Sequence, residues 1–312
     1  MVMKKYSLAL HGGAGTILKN QMNPDLEEQY KKALNEALKC GMDILDKGGS
    51  ALHAVEEVVV TLEDCPLFNA GKGSVFTHEG HHEMDAAIMS GTDLNAGAVC
   101  LVRRIKNPVR LAKLVMDSSP HVLLAGSGAE AFARSHGMEW IDEKYFYTEQ
   151  RFKQLQNALE ENKISLDHDH SSERKFGTVG AVAFDTQGQL AAATSTGGMT
   201  NKRWGRIGDS PIPGAGTYAN NESCAVSCTG TGELFMRSVA AFQVHALMKY
   251  AGLNLFEACF KVVHEILPSI EGDGGLIAID NKGEICLDFN TEGMYRAFGN
   301  SDGSIGIEIY QR

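Results

Sequence analysis

The chain has 312 residues, 43% hydrophobic and 22% charged, an ordinary globular composition that excludes a disordered polypeptide and leaves ample material for a large core. A net charge of −10, with no basic cluster denser than Lys202-Arg203 plus Arg206, argues against nucleic acid as a partner. Seven cysteines (Cys40, Cys65, Cys100, Cys224, Cys228, Cys259 and Cys286) without paired C-x-x-C spacing read as buried thiols in a reducing compartment. The apolar run Tyr6 to Leu10 reads as a first strand. It is too short for a signal peptide or a membrane span, so the expected location is the cytoplasm, without membrane association. His11-Gly12-Gly13-Ala14-Gly15 follows as a glycine loop. Asn23-Pro24 is a cap followed by proline at the first helical position, and Leu26, Tyr30, Leu34, Leu38 and Leu45 continue at near-helical spacing until Gly48-Gly49. Ser50 caps a second predicted helix with Ala51, Val55, Val58, Val59 and Leu62 on its inner face.

After the loop Asn69-Ala-Gly-Lys-Gly73, Met84 to Met89 and Ala96 to Val102 read as strands, and Asn107-Pro108 opens another helix. Glu160 to Lys175 is charged, holds His168 and His170 and lacks hydrophobic periodicity, so it reads as an exposed linker. Beyond it, Val179 to Phe184 and Leu190 to Thr194 are predicted strands joined by the turn Asp185 to Gly188. Ala225 to Thr229 is a further strand, ending in Gly230-Thr231-Gly232. Predicted helices over Glu233 to Tyr250 and Leu255 to Leu267 follow, then a hairpin of Gly275 to Asp280 with Glu284 to Asp288. The pattern suits one domain in two segments, with sheets covered by helices.

Thr178 stands at the mouth of a strand, directly after Gly177 and the charged segment. Alone, it is a β-branched residue where strands favour one. If the Gly177–Thr178 bond breaks, however, one residue carries a hydroxyl and a free α-amine, the nucleophile and the general base of acyl transfer. An α-amine titrates near ~7.7–8.0 and accepts a proton at neutral pH, whereas an amide nitrogen does not. Two further strand ends, Thr194 to Thr200 and Thr229 to Gly232, present hydroxyls beside glycine amides, which suit an oxyanion hole. The second also reads as an anion-binding nest, though without nucleotide-loop spacing. Between them, Arg206 and Asp209 place a guanidinium and a carboxylate three residues apart, complementary to the head group of an α-amino acid or, more blandly, a surface ion pair. His78, His81 and His82 with Glu83 lack H-E-x-x-H spacing and read as a solvated loop rather than a metal site.

Seven motifs in order, H-G-G-A-G-T at 11 to 16, C-P-L-F-N-A-G at 65 to 71, M-D-A at 84 to 86, G-T-V-G-A-V-A at 177 to 183, T-S-T-G-G-M-T-N-K at 194 to 202, G-R-I-G-D-S-P at 205 to 211 and S-C-T-G-T-G-E at 227 to 233, span nearly the whole chain. Together they closely resemble the plant-type L-asparaginases, or isoaspartyl peptidases, of the N-terminal nucleophile hydrolases. The resemblance implies a four-layer αββα sandwich and self-cleavage between Gly177 and Thr178 into an α chain, 1–177, and a β chain, 178–312. It implies Thr178 as nucleophile with its own amine as base, Thr196 orienting the hydroxyl, and Thr229 with the amide of Gly230 as oxyanion hole. Arg206 is expected on the substrate α-carboxylate, Asp209 with the carbonyl of Gly232 on the α-amine, and Asn69 approaching from the α chain. A structural sodium ion would be held by the main-chain carbonyls of Leu62, Glu63, Cys65, Phe68, Ala70 and Lys72, a hard-cation donor set, with no organic cofactor. Expected substrates are L-asparagine and β-aspartyl dipeptides, and the expected assembly is a dimer of αβ units. Gly177 favours this branch over an N4-(β-N-acetylglucosaminyl)-L-asparaginase, which tends to have Asp before the nucleophile. A non-catalytic anion-binding protein built on the Thr229 to Gly232 nest is the alternative from another class. Arg203-Trp204 is bulkier than the family's loop and bears on which leaving groups fit.

Overall fold

A computed structural model describes residues 5–160 and 177–311. The expected linker therefore lies, beyond Glu160, outside the described residues, and His168 and His170 with it. The strands are β1 (Ser7–Gly15), β2 (Met84–Ser90), β3 (Ala96–Val102), β4 (Leu123–Ala125), β5 (Val179–Phe184), β6 (Leu190–Thr196), β7 (Thr217–Ala219), β8 (Cys224–Gly230), β9 (Gly274–Asp280), β10 (Ile285–Phe289), β11 (Gly293–Asn300) and β12 (Ile305–Tyr310). The helices are α1 (Pro24–Asp46), α2 (Ala51–Glu63), α3 (Pro108–Ser118), α4 (Gly126–Ser135), α5 (Glu149–Glu160), α6 (Gly232–Ser238), α7 (Ala240–Ala251) and α8 (Leu255–Phe260). Among the described residues, no helix is long and apolar enough to cross a membrane.

One sheet is 8-stranded, in the order β12-β11-β1-β5-β6-β2-β3-β4; the other is 4-stranded, in the order β10-β9-β8-β7. Period-two alternation gives the central strands of the larger sheet two buried faces. Leu8, Leu10, Ala181, Ala183, Ala191 and Ala193 face a core shared with α1, α2 and α3. Ala9, Val182, Phe184, Leu190 and Ala192 face the second sheet, in a core that also takes in α7 and α8. The protein is thus mixed α+β. Strands that look uniformly apolar in sequence are those buried on both sides.

Local chemistry positions the helices as their caps predict. The Asn23 side chain accepts from the amide of Asp25, with Pro24 opening the helix, and Ser50 accepts from the amide of His53. Inside α1, Gly41 lies so close to its neighbours that a Cβ there would meet Val58 at 2.5 Å and Leu8 at 2.6 Å, so glycine lets α1 seat against α2 and β1. Tyr30, Phe68 and Tyr295 meet ring to ring, with centroids 4.3 Å apart for Tyr30–Tyr295 and 5.6 Å for Tyr30–Phe68. Such pairs add about 0.5–1.5 kcal/mol beyond area burial. They anchor the loop after α2 in the core.

Several boundaries differ from the sequence expectation. β1 runs on through the glycine loop to Gly15, because Ala14 and Gly15 pair with Met294 and Gly293 of β11 after a bulge between His11 and Gly13. β6 extends to Thr196, opposite Asp85 of β2. The single helix expected over Glu233 to Tyr250 is two: Val239 adopts a left-handed conformation, φ 50°. The amides of Ala241 and Phe242 then turn to the carbonyls of Ala215 and Gly214, which satisfies the new helix start. The helix expected to Leu267 instead widens after Phe260, where the amide of Leu267 reaches back to Val262.

Candidate active site

The antiparallel pairing of β5 with β6 sets Val179 opposite Ser195, which brings Thr178 beside Thr196. Thr178 Oγ1 donates to Thr196 Oγ1 at 3.2 Å and lies 3.3 Å from Ser210 Oγ. Thr196 Oγ1 also accepts from the amide of Gly198 at 3.0 Å. The hydroxyl of Thr178 is therefore held by two others at the strand ends, and Thr178 itself is buried. Ser210 was not singled out from sequence, although it sits within the G-D-S-P motif beside Asp209.

Beneath this group runs a chain of buried hydroxyls. Thr217 Oγ1 is 2.6 Å from Thr194 Oγ1, which is 2.7 Å from Ser227 Oγ, which is 2.9 Å from His11 Nε2; Thr217 also donates to the Ser210 carbonyl at 3.0 Å. Burial pushes the His11 ring down to about 3, so it stays neutral at physiological pH. Gly180 makes the chain possible, because a Cβ there would stand 2.0 Å from Ser227 Oγ. On the other side, Gly13 holds φ 112° and its backbone packs against Gly177: a Cβ on Gly13 would lie 2.8 Å from the Gly177 nitrogen.

Thr229 is buried at the end of β8 and accepts from the amide of Ala14 at 3.3 Å. Its hydroxyl hydrogen remains for another acceptor. A Cβ on Gly230 would come within 2.5 Å of both the Asp273 carbonyl and the Phe235 ring, so only glycine fits that turn. Asn69 is fully buried and fastened: its Nδ2 donates to the Gly198 carbonyl at 2.8 Å and its Oδ1 accepts from Val75 at 2.9 Å. It braces the loop that follows Thr196.

Arg206 and Asp209 do not form an ion pair with each other. Arg206 grips Glu233 through Nε at 2.8 Å and Nη2 at 2.7 Å. Asp209 is buried, and its Oδ2 has no hydrogen-bond partner among the described residues. Burial pushes its carboxyl up to about 7, against the opposing pull of Arg206. Gly232 keeps the space between them clear: a Cβ there would stand 2.9 Å from both Arg206 Nη2 and Asp209 Oδ1. A cavity of about 20 Å³ collects these groups, lined among others by Gly177, Thr178, Thr196, Arg206, Asp209, Ser210, Gly230 and Gly232. That volume holds about one water.

The other sequence candidates fall outside this cluster. His82 is buried rather than solvated: its ring lies 4.0 Å from that of Phe76, and its Nδ1 is 3.1 Å from Ser74 Oγ. His78 turns instead to Asn201 and His81 to Glu143, so the three imidazoles serve separate contacts. Trp204 is 89% exposed and is not among the described residues lining the cavity. The proposed cation loop is tightly wound. A Cβ on Gly71 would stand 2.4 Å from the Glu63 carbonyl oxygen, and one on Gly73 2.1 Å from that of Phe68. Only glycine at these two positions lets the chain pass so close to the Glu63 and Phe68 carbonyls.

A threonine hydroxyl among hydroxyl and glycine-amide donors, next to a separated carboxylate and guanidinium, is an arrangement for acyl transfer on an amino-acid-like molecule. The chain belongs to the asparaginase family, whose model matches residues 4–309. It is 53% identical to an isoaspartyl peptidase of Escherichia coli K12, covering 99% of this chain and 97% of that protein. It is 43% identical to a probable isoaspartyl peptidase/L-asparaginase 2 of Arabidopsis thaliana, over 99% and 100%, and 40% identical to an isoaspartyl peptidase/L-asparaginase of Xenopus laevis, over 97% and 94%.

Proposed function

We propose that the protein is a self-processing threonine hydrolase that cleaves β-aspartyl amide bonds, those of isoaspartyl dipeptides and of L-asparagine. The observation that carries the reading is that one cavity is shared by the Gly177–Thr178 bond and by Arg206 and Asp209. In the precursor, Thr178 Oγ attacks the Gly177 carbonyl, the peptide becomes an ester, and water releases Gly177 with a free α-amine on Thr178. Departure of the preceding chain opens the cavity. Substrate then enters with its α-carboxylate on Arg206 and its α-ammonium between Asp209 Oδ1, the carboxylate oxygen that faces Gly232, and the carbonyl of Gly232.

In turnover, the Thr178 amine takes the hydroxyl proton, and Oγ attacks the side-chain carbonyl. The Thr229 hydroxyl and the Gly230 amide receive the oxyanion, and the Thr178 amine returns the proton to the leaving amine. Water hydrolyses the aspartyl ester and regenerates the threonine. Thr196, hydrogen-bonded to Thr178, fixes the direction of Oγ, and Asn69 secures the loop behind it. The two sheets with helices on their outer faces form the four-layer αββα sandwich of an N-terminal nucleophile hydrolase, and two αβ units pair in the assembly. The carbonyls of Leu62, Glu63, Cys65, Phe68, Ala70 and Lys72 would hold a sodium ion, which would brace the loop carrying Asn69.

Denaturing electrophoresis with N-terminal sequencing tests the central claim. Matured protein should yield a fragment beginning at Thr178 and hydrolyse β-aspartyl dipeptides, and Thr178→Ala should abolish both cleavage and turnover. A chain that stays whole yet turns over substrate overturns the mechanism.

A further inference from the structure

We propose that Glu233 is a positioning residue for the substrate α-carboxylate: it fixes one edge of the Arg206 guanidinium from outside the cavity and so presents the other edge to the substrate. The inference rests on the reading that Arg206 receives that carboxylate.

A guanidinium offers five N–H donors in a rigid planar fork. Glu233 occupies the edge formed by Nε and Nη2, at 2.8 Å and 2.7 Å. The edge formed by Nη1 and the second hydrogen of Nη2 is left for another bidentate carboxylate. That edge borders glycines: Nη1 stands 2.8 Å from where a Cβ on Gly208 would be, and Nη2 stands 2.9 Å from the equivalent point on Gly232. The Gly232 point is also 2.9 Å from Asp209 Oδ1, so the free edge of Arg206 and the carboxyl of Asp209 flank the same open space. Arg206, Gly208, Asp209 and Gly232 line the cavity, whereas Glu233 is not among its described lining residues. Its carboxylate therefore pins Arg206 without competing for the seat of the substrate.

Glu233 is the residue after Gly232, in the first turn of α6, which follows directly on the end of β8 where Thr229 and Gly230 stand. The oxyanion donors and the brace of the carboxylate fork are thus only three to four residues apart in the chain. The Glu233 side chain is 47% exposed and that of Arg206 17%. Half in water, the pair contributes little binding free energy as an ion pair. Its value lies in orienting a long, otherwise mobile side chain, because a bidentate site tolerates little angular error.

The test compares competitive inhibition by L-aspartate, which carries an α-carboxylate, with inhibition by β-alanine, which does not. Matured wild type, Glu233→Gln, Glu233→Ala and Arg206→Lys are assayed on a β-aspartyl dipeptide. Both Glu233 variants should self-cleave normally, weaken L-aspartate about threefold to fivefold, the upper range for a half-exposed pair, and leave β-alanine unchanged; kcat should change less than KM. Equal weakening of both inhibitors would mean a merely structural role, and tighter L-aspartate binding would mean that Glu233 competes with substrate; either overturns the proposal, as does no change. Arg206→Lys separates the two levels of the argument. If it erases the preference for L-aspartate while the Glu233 variants keep it, Arg206 is the clamp and Glu233 is not its brace. If Arg206→Lys keeps the preference, the clamp reading itself fails.

Discussion

Asp209→Asn should stabilise the protein at neutral pH while destroying its grip on substrate. The buried carboxyl is raised from an ordinary 3.8 to about 7, chiefly by burial. Between those values the folded protein holds a proton that the unfolded chain has released, so stability falls as pH rises through the window. About three pH units at roughly 1.4 kcal/mol each give about 4 kcal/mol, fully lost above pH 7 and not lost below pH 4. Asparagine at this position has no such term. Urea unfolding of the Asp and Asn forms, both in a Thr178→Ala background that keeps the chain in one piece, should therefore differ by about 1 kcal/mol at pH 4.5 and by about 4 kcal/mol at pH 8. Other titrating groups cancel in the difference. A gap that does not grow with pH, or an Asn form less stable at pH 8, refutes the reasoning. In the cleavable background, the same substitution should raise KM for L-asparagine about tenfold to a hundredfold, roughly the loss of a charge-assisted contact to the ammonium.

Gly13→Ala should slow maturation at least tenfold, because alanine is strained at φ 112° and its Cβ meets the Gly177 amide at 2.8 Å; the band pattern over time checks it, and normal processing counts against the contact. Gly73→Ala, which drives a Cβ into the Phe68 carbonyl, should lower the melting temperature and remove any dependence of it on sodium, read against choline at equal ionic strength. Val239→Gly should stabilise the protein by about 1 kcal/mol, since a β-branched residue stands at φ 50° on the surface; a loss of stability in urea would show that its side-chain contacts outweigh the strain.

What the sequence made legible was whatever local chemistry decides. Asn23 and Ser50 cap the helices they precede, and Thr178, Thr196, Arg206, Asp209 and Gly230 line one cavity although separate segments supply them. What stayed hidden depends on distant partners. β11 and β12 were missed because Gly293, Arg296, Gly299 and Glu308 obscure their alternation, and pairing with β1 and with each other is what holds them as strands. The turn at Val239 was missed because no propensity places valine in a left-handed bend; the carbonyls of Gly214 and Ala215 favour it from another loop. His82 looks like surface chemistry in sequence, and only Phe76 and Phe146 explain its burial. The link between Arg206 and Glu233 spans 27 positions and two motifs, and neither motif alone reveals it.

The order of strands in the larger sheet has a consequence for the life history of the molecule. β1 lies between β11 and β5, and β6 lies against β2, so residues before and after the Gly177–Thr178 bond alternate across the sheet. A cut there yields two polypeptides, neither of which can rebuild the sheet without threading into the other. Folding of the precursor is unimolecular; reassembly of the cleaved pair is a second-order encounter between two aggregation-prone fragments. A cut at that bond would therefore turn a reversible folding problem into a one-way commitment, and the lifetime of the cut protein would be governed by its unfolding barrier rather than by its equilibrium stability.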